Sequence, residues 1–548
     1  MRKSLIAKFK YNIIMGVLFP LFVLLPDYIF QLIYPNVHYL TDVVFILVIA
    51  VFGFFLSMSG IWMYILCCGL FIFMQLIQLG HIAYFSRPIN PLDIGKVFNE
   101  FSDIYSASVT DIDDFWFIPL MAVLPFLILI ILEIKWRKKL YFSVVGILAV
   151  IIFLGVKPER ATRRGLHHFL PPETRYSIHN SINSFSFYLV RGMDKKNIRD
   201  IVPNNFYKSY VVEKHDSSSN LVIFVMGEST SAEKMHIFNN DVNPDTPLLE
   251  KFIPDTHFYY QKAVSCGVST HASLPIFFNL MKEPGNINKL LSYDTNLFKL
   301  AKENGYKTYF LSAYDMKQLN LIGVPYIDEM VTSESNPRRF KTEKEDYLLD
   351  LLKSLDLKQG KNFVVLNFRS VHSPYEKNYE HHQEFNVFAP QNESRFAEEN
   401  AAYENSILYI DSVLAQMIEY FKSLNVENSQ FIFTSDHAEM LGIPDGRYGH
   451  NQLLKQAMIV PFIMYNIGTN TILPEEYISH YEIAKLIAFY LGYDIKNPNF
   501  AEDDFFVHGN NLFEEYQFLQ IHRNKDNTIN IDKPQTIGTY IRQKTKKH

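Results

Sequence analysis

The chain has 548 residues, a formal net charge of −5, 48% hydrophobic and 15% aromatic residues. That length holds a sizeable folded domain plus a more apolar part, and the near-neutral balance supplies no basic face of the kind nucleic acid wants, so no nucleic-acid partner is expected. The three cysteines form no disulfide framework, because Cys67 and Cys68 are adjacent in an apolar run and Cys266 stands alone.

In chain order, residues 12–34, 41–58, 61–80, 115–134 and 140–156 are nearly continuous apolar stretches, each close to the ~20 residues that cross a bilayer. Pro20, Pro26 and Asp27 predict a kink or an early end in the first. No small-residue cleavage site follows it, so it is read as a retained span rather than a signal peptide. Arg2, Lys3, Lys8 and Lys10 precede the first span, and Lys135-Trp136-Arg137-Lys138-Lys139 separates the fourth from the fifth. Five spans starting inside place both groups in the cytoplasm. The 81–114 loop, with Asp103, Asp111, Asp113 and Asp114, then faces outward. Lys157, Arg160, Arg163 and Arg164 oppose that orientation, but they lead into a long domain, where the charge rule loses force, and they suit lipid phosphates. The expected organisation is a five-span transmembrane domain at 1–156, a connecting segment at 157–220 with Pro171-Pro172 and Ser217-Ser218-Ser219, and a domain outside the membrane at 221–548.

From residue 221 short apolar runs suit buried strands, at 221–226, 307–312, 362–367, 431–434 and 460–465. Helical-period stretches such as 293–304 and 400–423 separate them. This alternation predicts an α/β domain with a mostly parallel sheet between helices. Ligands of such sheets gather at the carboxyl ends of the strands. There the sequence places Gly227-Glu228-Ser229-Thr230, then Arg369-Ser370-Val371-His372, then Ser435-Asp436-His437, with Tyr448-Gly449-His450-Asn451 shortly after. Carboxylates and imidazoles converging from one sheet edge suit zinc, or less well manganese. Each piece has a plainer explanation. Glu228 with its Ser and Thr neighbours reads as a helix cap, and a lone His372 or His450 as a surface or core histidine. Asp436-His437 ending an apolar strand is more pointed, and the joint occurrence at three strand ends argues against coincidence.

The segment from Ser265 to Pro275 is small and polar and runs into Ile276-Phe277-Phe278, which reads as a loop entering a helix. A hydroxyl there meets backbone N–H groups and a helix dipole that favour an anion, and a metal can activate it as a nucleophile. Ser269 and Thr270 acting only as caps is the plainer alternative. Cys266 is the rival nucleophile and ranks below Thr270, since a thiolate is a poor choice for repeated phosphoryl transfer.

The set GEST at 227–230, SCGVST at 265–270, VHSP at 371–374, SDHAEMLG at 435–442 and YGHN at 448–451 resembles the phosphoethanolamine transferases of Gram-negative bacteria, as does the block Tyr403–Asp411. That family is related to sulfatases and alkaline phosphatases and includes lipid A enzymes behind polymyxin resistance. The resemblance covers the whole chain and implies an alkaline phosphatase-like periplasmic domain after five spans of the inner membrane. It implies Thr270 as nucleophile, with Glu228, Asp436, His437 and Thr270 itself as zinc ligands. His372 and His450 match histidines that hold the phosphoryl group or a second zinc. Asn99 and Glu100, in the outward loop, are implied headgroup contacts, although that loop also reads as an amphipathic helix on the bilayer. The implied reaction moves phosphoethanolamine from phosphatidylethanolamine through a covalent threonine intermediate to lipopolysaccharide or lipid A, in a monomer.

The chain departs from the pattern at Ile276, where the lipid A enzymes have a cysteine, at Ser231, where arginine is common, and by one extra residue between Asp436 and His450. These departures, with the missing cysteines, tilt the expected acceptor toward an inner-core sugar such as heptose. The competing readings are a phosphoglycerol transferase of the lipoteichoic acid type, a sulfatase-like hydrolase and a non-catalytic membrane scaffold. The hydrolase would need a Cys/Ser-x-Pro-x-Arg motif, which 265–275 lacks. The scaffold would be expected to have lost some of the six site residues, and all six are present.

Overall fold

The computed structural model describes the chain apart from residues 1, 35–38, 86–87, 90, 92–93, 95–115, 138–142, 165–168, 170–173, 193–205, 317–318, 393–394, 443–446, 451, 469–476, 510–511, 513–515, 525–527 and 546–548. It divides into two compact units, 1–199 and 200–548.

The first unit is helical. Helices span Arg2–Ile33, Val43–Ser59, Ile61–Phe85, Phe117–Trp136 and Ser143–Arg163. Three of them contain apolar segments long enough to cross a membrane, Phe9–Ile33, Ile61–Ala83 and Phe117–Trp136, and Val43–Ser59 is a shorter apolar helix. The first helix runs unbroken through Pro20 and Pro26, against the expected early end. Large apolar side chains such as Leu21, Trp62 and Ile134 are exposed on these helices, as suits a lipid-facing surface. Small residues let the backbones approach. A Cβ on Gly53 would meet Phe19 Cβ at 2.4 Å, and one on Gly146 would meet Met58 Cβ at 2.8 Å. A further helix, Ser177–Phe187, lies within the stretch expected only to connect, and it belongs to this unit. Its buried hydroxyls bond main-chain carbonyls there, Ser181 Oγ to Met74 O at 3.3 Å and Ser184 Oγ to Ile89 O at 2.9 Å. Asn99 and Glu100 lie outside the described residues.

The second unit is α/β. Its strands are β1 (Val211–Lys214), β2 (Leu221–Gly227), β3 (Phe258–Val264), β4 (Tyr306–Ser312), β5 (Glu329–Val331), β6 (Lys361–Asn367), β7 (Ser429–Ser435), β8 (Met440–Leu441), β9 (Tyr448–Gly449), β10 (Ile459–Ile467), β11 (Tyr477–Ser479), β12 (Tyr493–Lys496), β13 (Asp504–His508), β14 (Gln517–Arg523), β15 (Ile529–Ile531) and β16 (Gln535–Thr536). Eight form the main sheet in the order β11-β3-β10-β7-β2-β6-β4-β5. β10 runs antiparallel to both neighbours and the other pairings are parallel, so the sheet is mixed rather than uniformly parallel. β2 and β7 are buried along their whole length, which explains their unbroken apolar runs, since helices cover both faces. One face packs against helices Thr270–Phe278, Leu297–Glu303 and His480–Tyr490. The other packs against Glu345–Ser354 and Arg395–Leu424. The long helix buries Tyr403, Ile407, Ile410, Leu414, Met417 and Phe421, a stripe at the spacing of one helical face. A smaller sheet, β13-β14-β15 with β16 on β14, follows in the chain.

Candidate active site

β2, β6 and β7 are adjacent and parallel, so their carboxyl ends share one edge of the sheet. β2 and β7 are in register there, with Gly227 opposite Ser435, and the next residues are Glu228 and Asp436. A side chain on Gly227 would meet the Phe433 ring at 2.9 Å, so glycine permits this close pairing. Past the strand the chain turns sharply at Ser229, whose φ is +54°. A non-glycine residue in this region costs about 1 kcal/mol or more and persists only when its surroundings hold it. The buried Tyr403 hydroxyl does so, donating to Ser229 O and accepting from Ser231 N–H, both at 2.8 Å. Thr230 N–H donates to Ser435 Oγ at 2.8 Å, tying the two strand ends together.

Asp436 Oδ1 accepts the main-chain N–H groups of Ser229 at 3.1 Å and His437 at 2.7 Å. Its other oxygen is buried and has no hydrogen-bond partner among the described residues, and neither has His437 Nε2. Those two atoms face each other at 3.4 Å, and His437 Nε2 lies 3.5 Å from Glu228 Oε1. His437 Nδ1 donates to Ala438 O at 3.0 Å, which leaves the Nε2 lone pair directed at the carboxylates. Glu228, Asp436 and His437 therefore offer donor atoms within 4.8 Å of one another, all buried. Burial pushes the Asp436 carboxyl well above the ordinary carboxylate range, and the Glu228 charge pushes it further. Burial acts the same way on Glu228, but the neighbouring imidazoles of His437 and His372, with hydrogen bonds from Tyr314 and Ser229, outweigh it and hold that carboxyl low. Two buried carboxylates this close repel unless a cation joins them. Two carboxylates and an imidazole, with Asp436 Oδ2 and His437 Nε2 unsatisfied and Glu228 engaged only by hydroxyls, fit zinc.

Thr270 is the first residue of helix Thr270–Phe278, after Ser269 in extended conformation at φ −160°. Its Oγ1 donates to Glu228 Oε2 at 3.1 Å, and the side chain is half-buried. The loop before it is pinned on several sides. Ser265 N–H donates to Met458 O at 2.9 Å, His508 N–H to Cys266 O at 2.9 Å and Val268 N–H to His508 O at 3.2 Å. Cys266 N–H donates to His480 Nδ1 at 3.2 Å. Cys266 itself is buried, its thiol directed at Ser273 O at 3.4 Å. Burial pushes that thiol far above its ordinary pKa, so it supplies no thiolate at neutral pH.

His372 and His450 are half-buried. His372 Nδ1 bonds Ser373 O at 2.5 Å, and His450 Nδ1 bonds Glu439 Oε2 at 3.0 Å. The His437 and His450 rings lie 4.4 Å apart. His437, Glu439 and His450 make a second group with donor atoms within 4.8 Å. The structure thus gathers Glu228, Thr270, Asp436 and His437 at one place, with His450 next to His437 and the His372 imidazole near enough to act on Glu228. Asn451, the last residue of the YGHN motif, lies outside the described residues. The sequence marks Glu439 and Tyr403 only as members of the SDHAEMLG and Tyr403–Asp411 blocks, without a role, and it does not mark His480 or His508. Glu439 had a signal, a carboxylate two residues past His437, whereas the other three act through main-chain bonds that leave no pattern.

The sulfatase family model matches residues 220–493. Among curated proteins, the chain is 20% identical over 299 residues to the Kdo(2)-lipid A phosphoethanolamine 7''-transferase of Salmonella typhimurium (strain LT2), covering 52% of this chain and 51% of that protein. The chain spans about half the length of the curated relatives it matches. Among solved structures, the integral membrane lipooligosaccharide phosphoethanolamine transferase A from Neisseria meningitidis is 18% identical, with a TM-score of 0.44 over 90% of this chain and 97% of that one. The C-terminal periplasmic domain of EcEptC from Escherichia coli, in complex with zinc, is 19% identical, with a TM-score of 0.47 over 57% of this chain and 94% of that one.

Proposed function

We propose that this chain, which belongs to the sulfatase family, is a membrane-anchored, zinc-dependent transferase that moves phosphoethanolamine from phosphatidylethanolamine to a lipopolysaccharide acceptor. The observation that carries this is the Thr270 hydroxyl at a helix N-terminus, 3.1 Å from the carboxylate of Glu228 in a buried Glu-Asp-His group. A hydroxyl so placed suits covalent group transfer. The choice of phosphoethanolamine comes from the motifs around these residues and from the curated relative of that activity.

Glu228, Asp436, His437 and Thr270 would hold the zinc. When bound, the metal supplies Lewis acidity that lowers the hydroxyl's pKa and offsets charge on the phosphoryl oxygens. Thr270 Oγ1 forms a bond to phosphorus while the bond from phosphorus to the diacylglycerol oxygen breaks. The threonine proton passes to Glu228, its hydrogen-bond acceptor, and from there to the departing diacylglycerol oxygen, which leaves as the alcohol. His372 and His450, each with Nδ1 engaged, present Nε2 to the phosphoryl oxygens. In the second half the O–H of an acceptor hydroxyl or phosphate bonds to phosphorus as the bond to Thr270 Oγ1 breaks, and the acceptor's proton passes by way of Glu228 to the threonine oxygen. The helix N-terminus favours the anionic oxygens in both halves.

The chain would cross the bacterial inner membrane five times, with the catalytic unit in the periplasm and act as a monomer. The three long apolar segments and the shorter Val43–Ser59 helix support the anchoring. An inner-core heptose is the favoured acceptor, with lipid A next. Mass spectrometry of the glycolipid from cells with and without the protein tests the proposal. The expected result is a phosphoethanolamine increment that depends on the protein, on a core sugar. A phosphoglycerol increment, or none, would reject it.

A further inference from the structure

Arg369 lies three residues before His372, on the loop that follows β6. Its guanidinium is exposed and has no ion pair or side-chain hydrogen bond among the described residues. It lies 5.9 Å over the ring of Tyr314. Tyr314, just past the end of β4, is buried, and the charges of Glu228 and Asp436 both act on its hydroxyl. One aromatic ring therefore separates an unpaired cation from the carboxylates beside Thr270.

A second cation is held next to it. Glu345 is buried and accepts the main-chain N–H groups of Arg369 and Ser370 at 2.8 Å each, together with the Ser370 hydroxyl. Lys344, its chain neighbour, is thereby fixed beside Arg369, with 15% of its side chain exposed. Burial pushes the Lys344 amine down, and the Arg369 charge opposes it too. Among the described residues its ion-pair partner is Glu380 at 3.6 Å. Like charges held together cost free energy unless an anion joins them. Two carboxylates, Glu380 and the buried Glu345, act on Lys344, and neither forms an ion pair with the Arg369 guanidinium.

The site needs positive charge there. Glu228, which holds the Thr270 hydroxyl, Asp436 and Glu439 place three carboxylates in the two donor groups that share His437, and they repel an incoming phosphate. A divalent cation on the first group offsets two of those charges. A guanidinium matches two oxygens of a phosphate or carboxylate at once, and an ammonium adds a point charge.

We propose that Arg369 and Lys344 form a binding site for an anionic oxygen group, phosphate or carboxylate, on the substrate that meets Thr270. This rests on the transferase reading above. The group has two possible sources, the phosphodiester of the donor lipid and a phosphate or sugar carboxylate on the acceptor.

The test uses the full chain in lipid vesicles, with Arg369→Gln, Arg369→Lys and Lys344→Gln. Adduct formation on Thr270 from phosphatidylethanolamine is followed by peptide mass, then its discharge onto added glycolipid. Arg369→Gln is expected to raise the half-saturating concentration of one substrate by about tenfold, with the rate at saturation within about threefold. Arg369→Lys should recover part of that loss, because it keeps the charge without the planar fork. Slowed adduct formation assigns the donor phosphodiester. Normal adduct formation with slowed discharge assigns the acceptor. Both half-reactions within about twofold of wild type in Arg369→Gln and Lys344→Gln would overturn the site. A wild type that forms no Thr270 adduct rejects the transferase reading instead. In that case co-sedimentation with vesicles of the glycolipid still decides the anion site, since equal binding by wild type and Arg369→Gln overturns it.

Discussion

The candidate active site has a floor and a rim, and they are built differently. On the floor, Glu228, Asp436 and His437 are buried, and bonds to neighbouring main-chain or hydroxyl groups engage one atom of each. On the rim, Thr270, His372 and His450 are half-buried, and each side chain shows a single hydrogen bond. These bonds leave Asp436 Oδ2 and His437 Nε2 facing each other without hydrogen-bond partners among the described residues, beside a Glu228 whose two oxygens accept the Ser229 and Thr270 hydroxyls. Such a floor is organised before any ligand arrives, at a cost in folding free energy that a bound cation offsets. The rim keeps the freedom to meet a substrate.

The largest effect should come from removing the rim hydroxyl alone. Thr270→Ala deletes the proposed nucleophile and leaves the floor donors in place. Transfer should fall by at least ~10³-fold, while zinc content by plasma mass spectrometry stays close to one ion and the melting temperature barely moves. If cells carrying this variant still modified their glycolipid, the covalent route through Thr270 would be wrong.

Next comes the floor. Asp436→Asn and His437→Ala each remove a converging donor, so zinc retention after dialysis should drop by at least about tenfold, with activity falling in parallel. The stabilisation that zinc gives in a thermal melt should shrink in both. Unchanged zinc stoichiometry in the two variants would defeat the ligand assignment and dissolve the distinction between floor and rim.

A smaller effect is expected where the two regions are joined. Buried His480 accepts the Cys266 N–H on Nδ1 at 3.2 Å and faces Thr434 Oγ1 with Nε2 at 3.3 Å. It thus links the loop before Thr270 to the strand before Asp436. Burial pushes its pKa down to about 3, so the ring is neutral near pH 7 and Nδ1 stays an acceptor. His480→Gln keeps only one of the two bonds. The rate at saturation should fall about tenfold, with zinc content and half-saturating donor concentration unchanged. A lower melting temperature with an unchanged rate would mean that His480 only stabilises the fold.

These contrasts also mark what a sequence displays. β2, β4, β6, β7 and β10 were legible because central strands covered on both faces are unbroken apolar runs. The direction of β10 was not, since an apolar run has no polarity in space. β3, with Gln261 and Lys262 near its middle, did not stand out from its surroundings. The elements carrying Glu228, Thr270, Asp436 and His437 could be placed because each follows a strand or opens a helix. The bracing role of Tyr403, whose block the sequence marks, and the positions of His480 and His508 were hidden, because their partners lie far away in the chain and bond through the backbone.

Cys266 gives the smallest effect and the sharpest contrast with Thr270, four residues away. Both belong to the same pinned loop, yet one side chain points into the core and the other to the rim. Cys266 packs with the core cluster that includes Ala272, Phe277 and Ile478. Serine is smaller and keeps a donor for Ser273 O, at the cost of a more polar atom in an apolar site. Cys266→Ser should therefore lower stability by about 1 kcal/mol and leave the transfer rate within about threefold of wild type. Alkylation should be slow in the folded protein and fast after denaturation, because the thiol is buried and protonated. A Cys266→Ser protein that melts normally but has lost transfer would make the thiol the nucleophile and Thr270 the cap.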